Sequence, residues 1–93
     1  MEKIKVLIAD DHRVVREGLA AILKTKDDIN VVGEAQDGVE AVEKTKTLMP
    51  DVILMDVSMP RMGGIEATRQ IKREFPHMGI VALTMYEEQQ YIF

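Results

Sequence analysis

Three acidic residues stand directly behind two apolar runs. Ile4–Ala9 (IKVLIA) leads into Asp10 and Asp11, and Val52–Met55 (VILM) leads into Asp56. If the two runs are neighbouring parallel strands, the three carboxylates meet at one edge of one sheet. Carboxylates that close repel, by roughly 4 kcal/mol per pair at about 4 Å and an effective dielectric near 20. A cation offsets that cost, and a cluster of hard oxygen donors suits Mg²⁺. One carboxylate of such a set can attack phosphorus to form an aspartyl phosphate, a transfer that depends on positioning and on neutralising charge at the phosphoryl oxygens. Asp11, assisted by Asp10, would hold Mg²⁺, with Asp56 and a loop carbonyl near Ser58 completing the sphere. Thr84, behind a further apolar run, could donate its hydroxyl to a phosphoryl oxygen. Carboxylates this crowded should titrate together, and a bound metal favours their ionised forms.

Each residue also has a simpler role. Asp10 and Asp11 could cap a helix, Asp56 could accept loop amides, and threonine is ordinary at a strand end. Their shared position decides for a site, because ligands of open α/β sheets bind beyond the carboxyl ends of the strands. His12 reads as a first-turn helix residue rather than a ligand, given the oxygen preference of Mg²⁺. Pro60, Gly63 and Gly64 read as turn chemistry, and His77 as an exposed loop residue.

The elements that must position these groups alternate along the chain. Ile4–Ala9 is a buried-strand run. Val14, Val15, Gly18, Leu19, Ile22 and Leu23 recur at helical spacing, with Asp11 where an N-cap would stand and Gly18 placed for close packing on the sheet. Ile29–Ala35 predicts an edge strand interrupted by Gly33 and Glu34. Val39, Val42 and Leu48 mark a second helix, ended by Pro50. After the third strand and the loop Ser58–Gly64, a third helix carries Ile65, Thr68, Ile71 and Phe75. Ile80–Leu83 is a fourth strand, and Glu87–Phe93 reads as the start of a fourth helix. Met55 belongs in the core, and Met59 and Met62 read as loop filler. The order β-α-β-α-β-α-β-α predicts a parallel sheet with helices on both faces.

Ninety-three residues make one domain. Hydrophobic residues at 46% and charged residues at 30% are the proportions of a folded soluble chain. A net charge of −4 without a basic block argues against direct nucleic-acid or anionic-membrane binding. There is no cysteine, hence neither disulfide nor thiolate metal site, as in a reducing cytosol. No apolar run approaches the roughly 18 residues of a membrane span.

VLIADDH, VILMDVSMPRMGGIEATRQI and VALTMY together resemble the receiver domain of two-component response regulators, and DDH with V-x-R-E-G-L is most similar to its NarL/FixJ subfamily. The resemblance covers essentially the whole chain. It implies the flavodoxin-like (CheY-like) doubly wound fold with strand order 2-1-3-4, Asp56 as phosphoacceptor, Asp10 and Asp11 as the metal pair with Asp56, Ser58 as a backbone-carbonyl ligand, and Thr84 as the phosphoryl-binding hydroxyl. It also implies Mg²⁺ as cofactor, a sensor histidine kinase as partner, a cytoplasmic location, and a signalling substrate rather than a turnover enzyme. The fifth strand with its lysine and the fifth helix of the family pattern would lie beyond Phe93, so the sequence reads as an incomplete receiver, 1–93, cut within its fourth helix. Neither Lys72 nor Arg73 replaces that lysine, because both fall on the third helix. The surface so exposed, including the Val15–Leu19–Ile22 stripe and the β4 edge, predicts a homo-oligomer. A receiver fold serving only self-association is the alternative. A haloacid dehalogenase-type phosphohydrolase would want Asp where Ser58 stands, and a flavodoxin would want a phosphate loop rather than Asp10-Asp11-His12.

Overall fold

The computed structural model describes residues 2–83 and, as backbone, 90–92. The elements are β1 (Ile4–Ala9), α1 (Arg13–Lys24), β2 (Ile29–Ala35), α2 (Gly38–Leu48), β3 (Val52–Asp56), α3 (Gly64–Glu74), β4 (Gly79–Leu83) and β5 (Gln90–Ile92). The sheet runs β2-β1-β3-β4-β5. Its first four strands are parallel, the 2-1-3-4 order expected of the fold, and β5 is antiparallel to β4.

The central strands are apolar on both faces because helices cover both. Leu7, Ala9, Ile53, Met55 and Ile80 face α2 and α3 and form the larger core with Ala41, Ala67 and Ile71. Val6 and Ile8 point the other way and meet Ala20, Leu19 and Leu23 of α1. β2 is an edge strand, as its interrupted pattern implies. Its register against β1 shifts between Val6 and Leu7, so Val31 pairs with Val6, Gly33 with Leu7, and Val32 has no partner. α2 closes on Met49 in the left-handed conformation (φ 46°), immediately before Pro50.

Several expectations need correction. Residues 90–92 are strand where the pattern predicts helix; the rest of that segment lies outside the described residues. Tyr91 and Ile92 are residue types that favour strands, and β5 pairs with Val81–Leu83, covering the carboxyl-end half of the outer edge of β4. Gly18 is exposed and a side chain there would meet nothing within 4 Å, so close packing on the sheet is not its reason. Val14, Ile22 and Ile65 leave their helices toward solvent, with Val14 80% and Ile22 61% exposed. The packing face of α1 instead runs through Leu19, Ala20 and Leu23. Met59 and Met62 are more than filler: Met59 is a buried member of the larger core and Met62, half-buried, packs against it.

Candidate functional site

Strand register assembles the site. Ala9 pairs with Met55, which brings the carboxyl ends of β1 and β3 level, and Asp56 pairs in turn with Leu83 at the end of β4. Asp10 follows β1 directly, and its N–H donates to the Ala35 carbonyl of β2 at 2.9 Å. From α1, Arg16 donates through Nη1 to the Asp10 carbonyl at 2.7 Å and through Nε to Glu34 at 3.2 Å. Asp10 and Asp56 are each only 3% exposed. Donor atoms of Asp10, Asp11, His12 and Asp56 all lie within 4.8 Å of one another.

The two oxygens of Asp56 differ. Oδ1 accepts from the Ser58 N–H at 3.2 Å, whereas Oδ2 is buried without a hydrogen-bond partner. Burial first, then the charge of Asp10, a side-chain contact with Asp11 and the Asp11 charge, push the Asp56 carboxyl up to about 6 against the pull of the Ser58 N–H. A buried carboxylate oxygen without a donor costs free energy. That orphaned atom, set among further carboxylates, fits a hard divalent cation, with Asp10, Asp11 and Asp56 as the residues able to hold it.

The start of α1 departs from the sequence reading. The N-cap position belongs to His12, and no side chain caps the helix there, so Asp11 is not the cap. His12 is the pocket member that sequence reasoning set aside. Its N–H donates to Asp10 Oδ1 at 2.7 Å, and its Nδ1 lies 2.9 Å from that same oxygen and 3.1 Å from Asp11 Oδ1. The Asp10 hydrogen bond, then the Asp11 charge, raise its pKa.

The loop after Asp56 is held at three points. A side chain at Gly64 would meet the Asp56 carbonyl at 2.1 Å, and one at Gly38 the Met62 carbonyl at 2.1 Å. The backbone hydrogen bonds Gly64 N to Val57 O and Gly38 N to Met62 O, both 2.9 Å, need that close approach. The third point is an ion pair. Asp37 Oδ1 caps α2 by accepting from the Glu40 N–H at 2.8 Å, while Oδ2 receives Arg61 Nη2 at 2.9 Å. The Glu40 N–H first, then Arg61, hold the Asp37 carboxyl below its ordinary value. Arg61 itself is in the left-handed conformation (φ 64°). Asp37 reads in the sequence only as turn punctuation before Gly38, so its hold on a loop 24 residues away carries no local signal.

Of the sequence-derived site, the structure brings together Asp10, Asp11, Asp56 and, through its N–H, Ser58. Thr84 lies outside the described residues. Lys72 is engaged with the Pro76 carbonyl at 3.3 Å.

Residues 6–93 match the model of the response regulator receiver domain. The chain belongs to that family. Among curated relatives, this receiver is 48% identical over 90 residues to the response regulator protein VraR of Staphylococcus saprophyticus, covering 97% of this chain and 43% of that protein. Among solved structures it matches the response regulator domain of Thermotoga maritima CheB at TM-score 0.88 and 40% identity, over 95% of this chain and 65% of that one. It matches the receiver domain of Mycobacterium tuberculosis NarL at TM-score 0.88 and 35% identity, over 95% of this chain and 71% of that one. Its relatives are LuxR/NarL-type regulators, and it spans less than half the length of the curated relatives it matches. Among the described residues no helix is long and apolar enough to cross a membrane.

Proposed function

We propose that this receiver accepts a phosphoryl group on Asp56, with Mg²⁺ held by Asp10, Asp11 and Asp56 and by the Ser58 backbone carbonyl, and that the donor is a sensor histidine kinase. The observation that carries the reading is the buried Asp56 Oδ2 without a partner, beside two further carboxylates. Oδ1 is occupied by the Ser58 N–H, which leaves Oδ2 free for a new bond. With its carboxyl at about 6, Asp56 is largely ionised near neutral pH and available as a nucleophile. Its oxygen forms the new bond to phosphorus as the bond from phosphorus to the donor breaks, and the leaving group departs with the electron pair. When bound, Mg²⁺ neutralises charge on the carboxylates and on the transferring phosphoryl group. Arg16 fixes the Asp10 backbone, and the Gly64, Gly38 and Arg61 contacts fix the loop. Thr84 follows Leu83, the register partner of Asp56, and is assigned the hydroxyl that meets the phosphoryl group. The phosphorylated state would then bias a downstream transcriptional output in the cytoplasm, with the chain a signalling substrate rather than a turnover enzyme.

The test is incubation with Mg²⁺ and acetyl phosphate followed by intact-mass measurement. A gain of one phosphoryl group, absent in Asp56→Asn, is expected. No gain in the wild-type chain would sink the proposal.

A further inference from the structure

His12 has no part in phosphoryl transfer as derived above, yet its ring lies in the pocket. Its Nδ1 is 2.9 Å from Asp10 Oδ1 and 3.1 Å from Asp11 Oδ1. Around a six-coordinate ion with bonds of about 2.1 Å, adjacent donor atoms are about 3.0 Å apart, the bond length times the square root of two. Nδ1 therefore already stands at a neighbouring-ligand separation from each of the two carboxylate oxygens. Asp56 contributes an independent observation, a buried oxygen that nothing in the protein satisfies. His12 is also restrained, because its own backbone N–H donates to Asp10 Oδ1 at 2.7 Å.

Imidazole nitrogen is a poor partner for Mg²⁺ and a good one for Co²⁺, Ni²⁺ and Zn²⁺. We infer that His12 Nδ1 is a further inner-sphere ligand for these borderline divalent ions, so that the pocket has two coordination modes: carboxylates alone for Mg²⁺, and carboxylates with His12 for Co²⁺, Ni²⁺ or Zn²⁺. The second mode releases any Nδ1 proton to solvent and replaces the hydrogen bonds to Asp10 and Asp11 with a metal–nitrogen bond. Half of the His12 side chain is exposed, which leaves the outer edge of the ring in water and lets the ring turn without disturbing the core.

This inference rests on the carboxylate pocket proposed above, and binding measurements separate the two. Titration of the whole chain with Mg²⁺, Zn²⁺ and Ni²⁺ is expected to show Zn²⁺ and Ni²⁺ affinity falling at least tenfold in His12→Ala, with Mg²⁺ affinity within twofold of wild type. The Co²⁺-loaded wild type should show contact-shifted imidazole proton resonances that His12→Ala lacks. Undiminished Zn²⁺ and Ni²⁺ binding in the variant, or an equal loss for Mg²⁺, overturns the role of His12 while leaving the pocket intact. A wild-type chain that binds none of these ions overturns both. If His12→Ala fails to fold, His12→Gln and the Co²⁺ spectrum of the wild type decide alone, and no shifted imidazole signal counts against the inference.

Discussion

The middle of β1 and β3 and their carboxyl ends are almost equally buried and opposite in chemistry. Leu7, Ile8 and Ile53 are fully enclosed by other apolar side chains. A few residues on, Asp10 and Asp56 are enclosed nearly as well, but among like charges and with one oxygen unsatisfied. The first region stabilises the fold by removing apolar surface from water. The second gives up stability in the protein alone and regains it when a ligand arrives. Burial by itself therefore does not separate structure from function; the separation lies in whether the buried groups are satisfied.

Substitutions should respect that division. The largest effect is expected in mid-strand. Ile53→Ala should cost about 3–4 kcal/mol in denaturant unfolding, while the folded fraction still takes up a phosphoryl group. A loss of labelling larger than the loss of folded chain would blur the division. Gly64→Ala sits on the border, because its new methyl group would collide with the Asp56 carbonyl. It should cost about 2 kcal/mol and weaken Mg²⁺ binding as well, in calorimetric titration.

At the carboxyl end the sign should reverse. The Asp56 carboxyl is raised from 3.8 to about 6, so the folded chain holds more protons than the unfolded chain across that window. Stability from this group is therefore present below about pH 4 and lost as pH rises through 6. Asp56→Asn escapes the loss. In EDTA it should be more stable than wild type by on the order of 1–2 kcal/mol at pH 7, with the gap closing toward pH 4. Saturating Mg²⁺ should close the gap at pH 7 by stabilising the wild type. An Asn variant less stable than wild type in EDTA at pH 7 would contradict the account.

Smaller effects sharpen the same contrast. Arg61→Gly keeps the left-handed backbone accessible and removes the ion pair with Asp37. It should change stability by less than about 1 kcal/mol yet slow labelling by acetyl phosphate severalfold, because the loop bearing Ser58 loses an anchor. Val14→Ser and Ile22→Ser, on the open side of α1, should each stay within about 0.5 kcal/mol of wild type.

Much of this was legible in the sequence because it depends on short-range pattern. The runs ending in Asp10 and Asp56 are strands, their acids converge, and the flanking helices alternate as β-α periodicity requires. What was illegible depends on distant partners. The Arg61–Asp37 pair links residues that have no sequence relation until α2 and the loop meet. His12 Nδ1 meets Asp10 and Asp11 from the N-cap position, one residue later than the sequence pattern places the cap. Met59 and Met62 resemble loop residues until the core they pack on is known. Gln90–Ile92 pairs with β4 as a strand, which the strand-favouring Tyr91 and Ile92 suit although the pattern there predicts helix.

The unpartnered Val32 in β2 has a consequence for how the molecule behaves in a crowd. β2 forms one outer margin of the sheet, and an unbroken row of amide and carbonyl groups there would be a template for fibril growth. The extra residue interrupts that row and increases local twist, so a second molecule cannot lay a strand along it in continuous register. The shift at Val32 thus works against edge-to-edge aggregation.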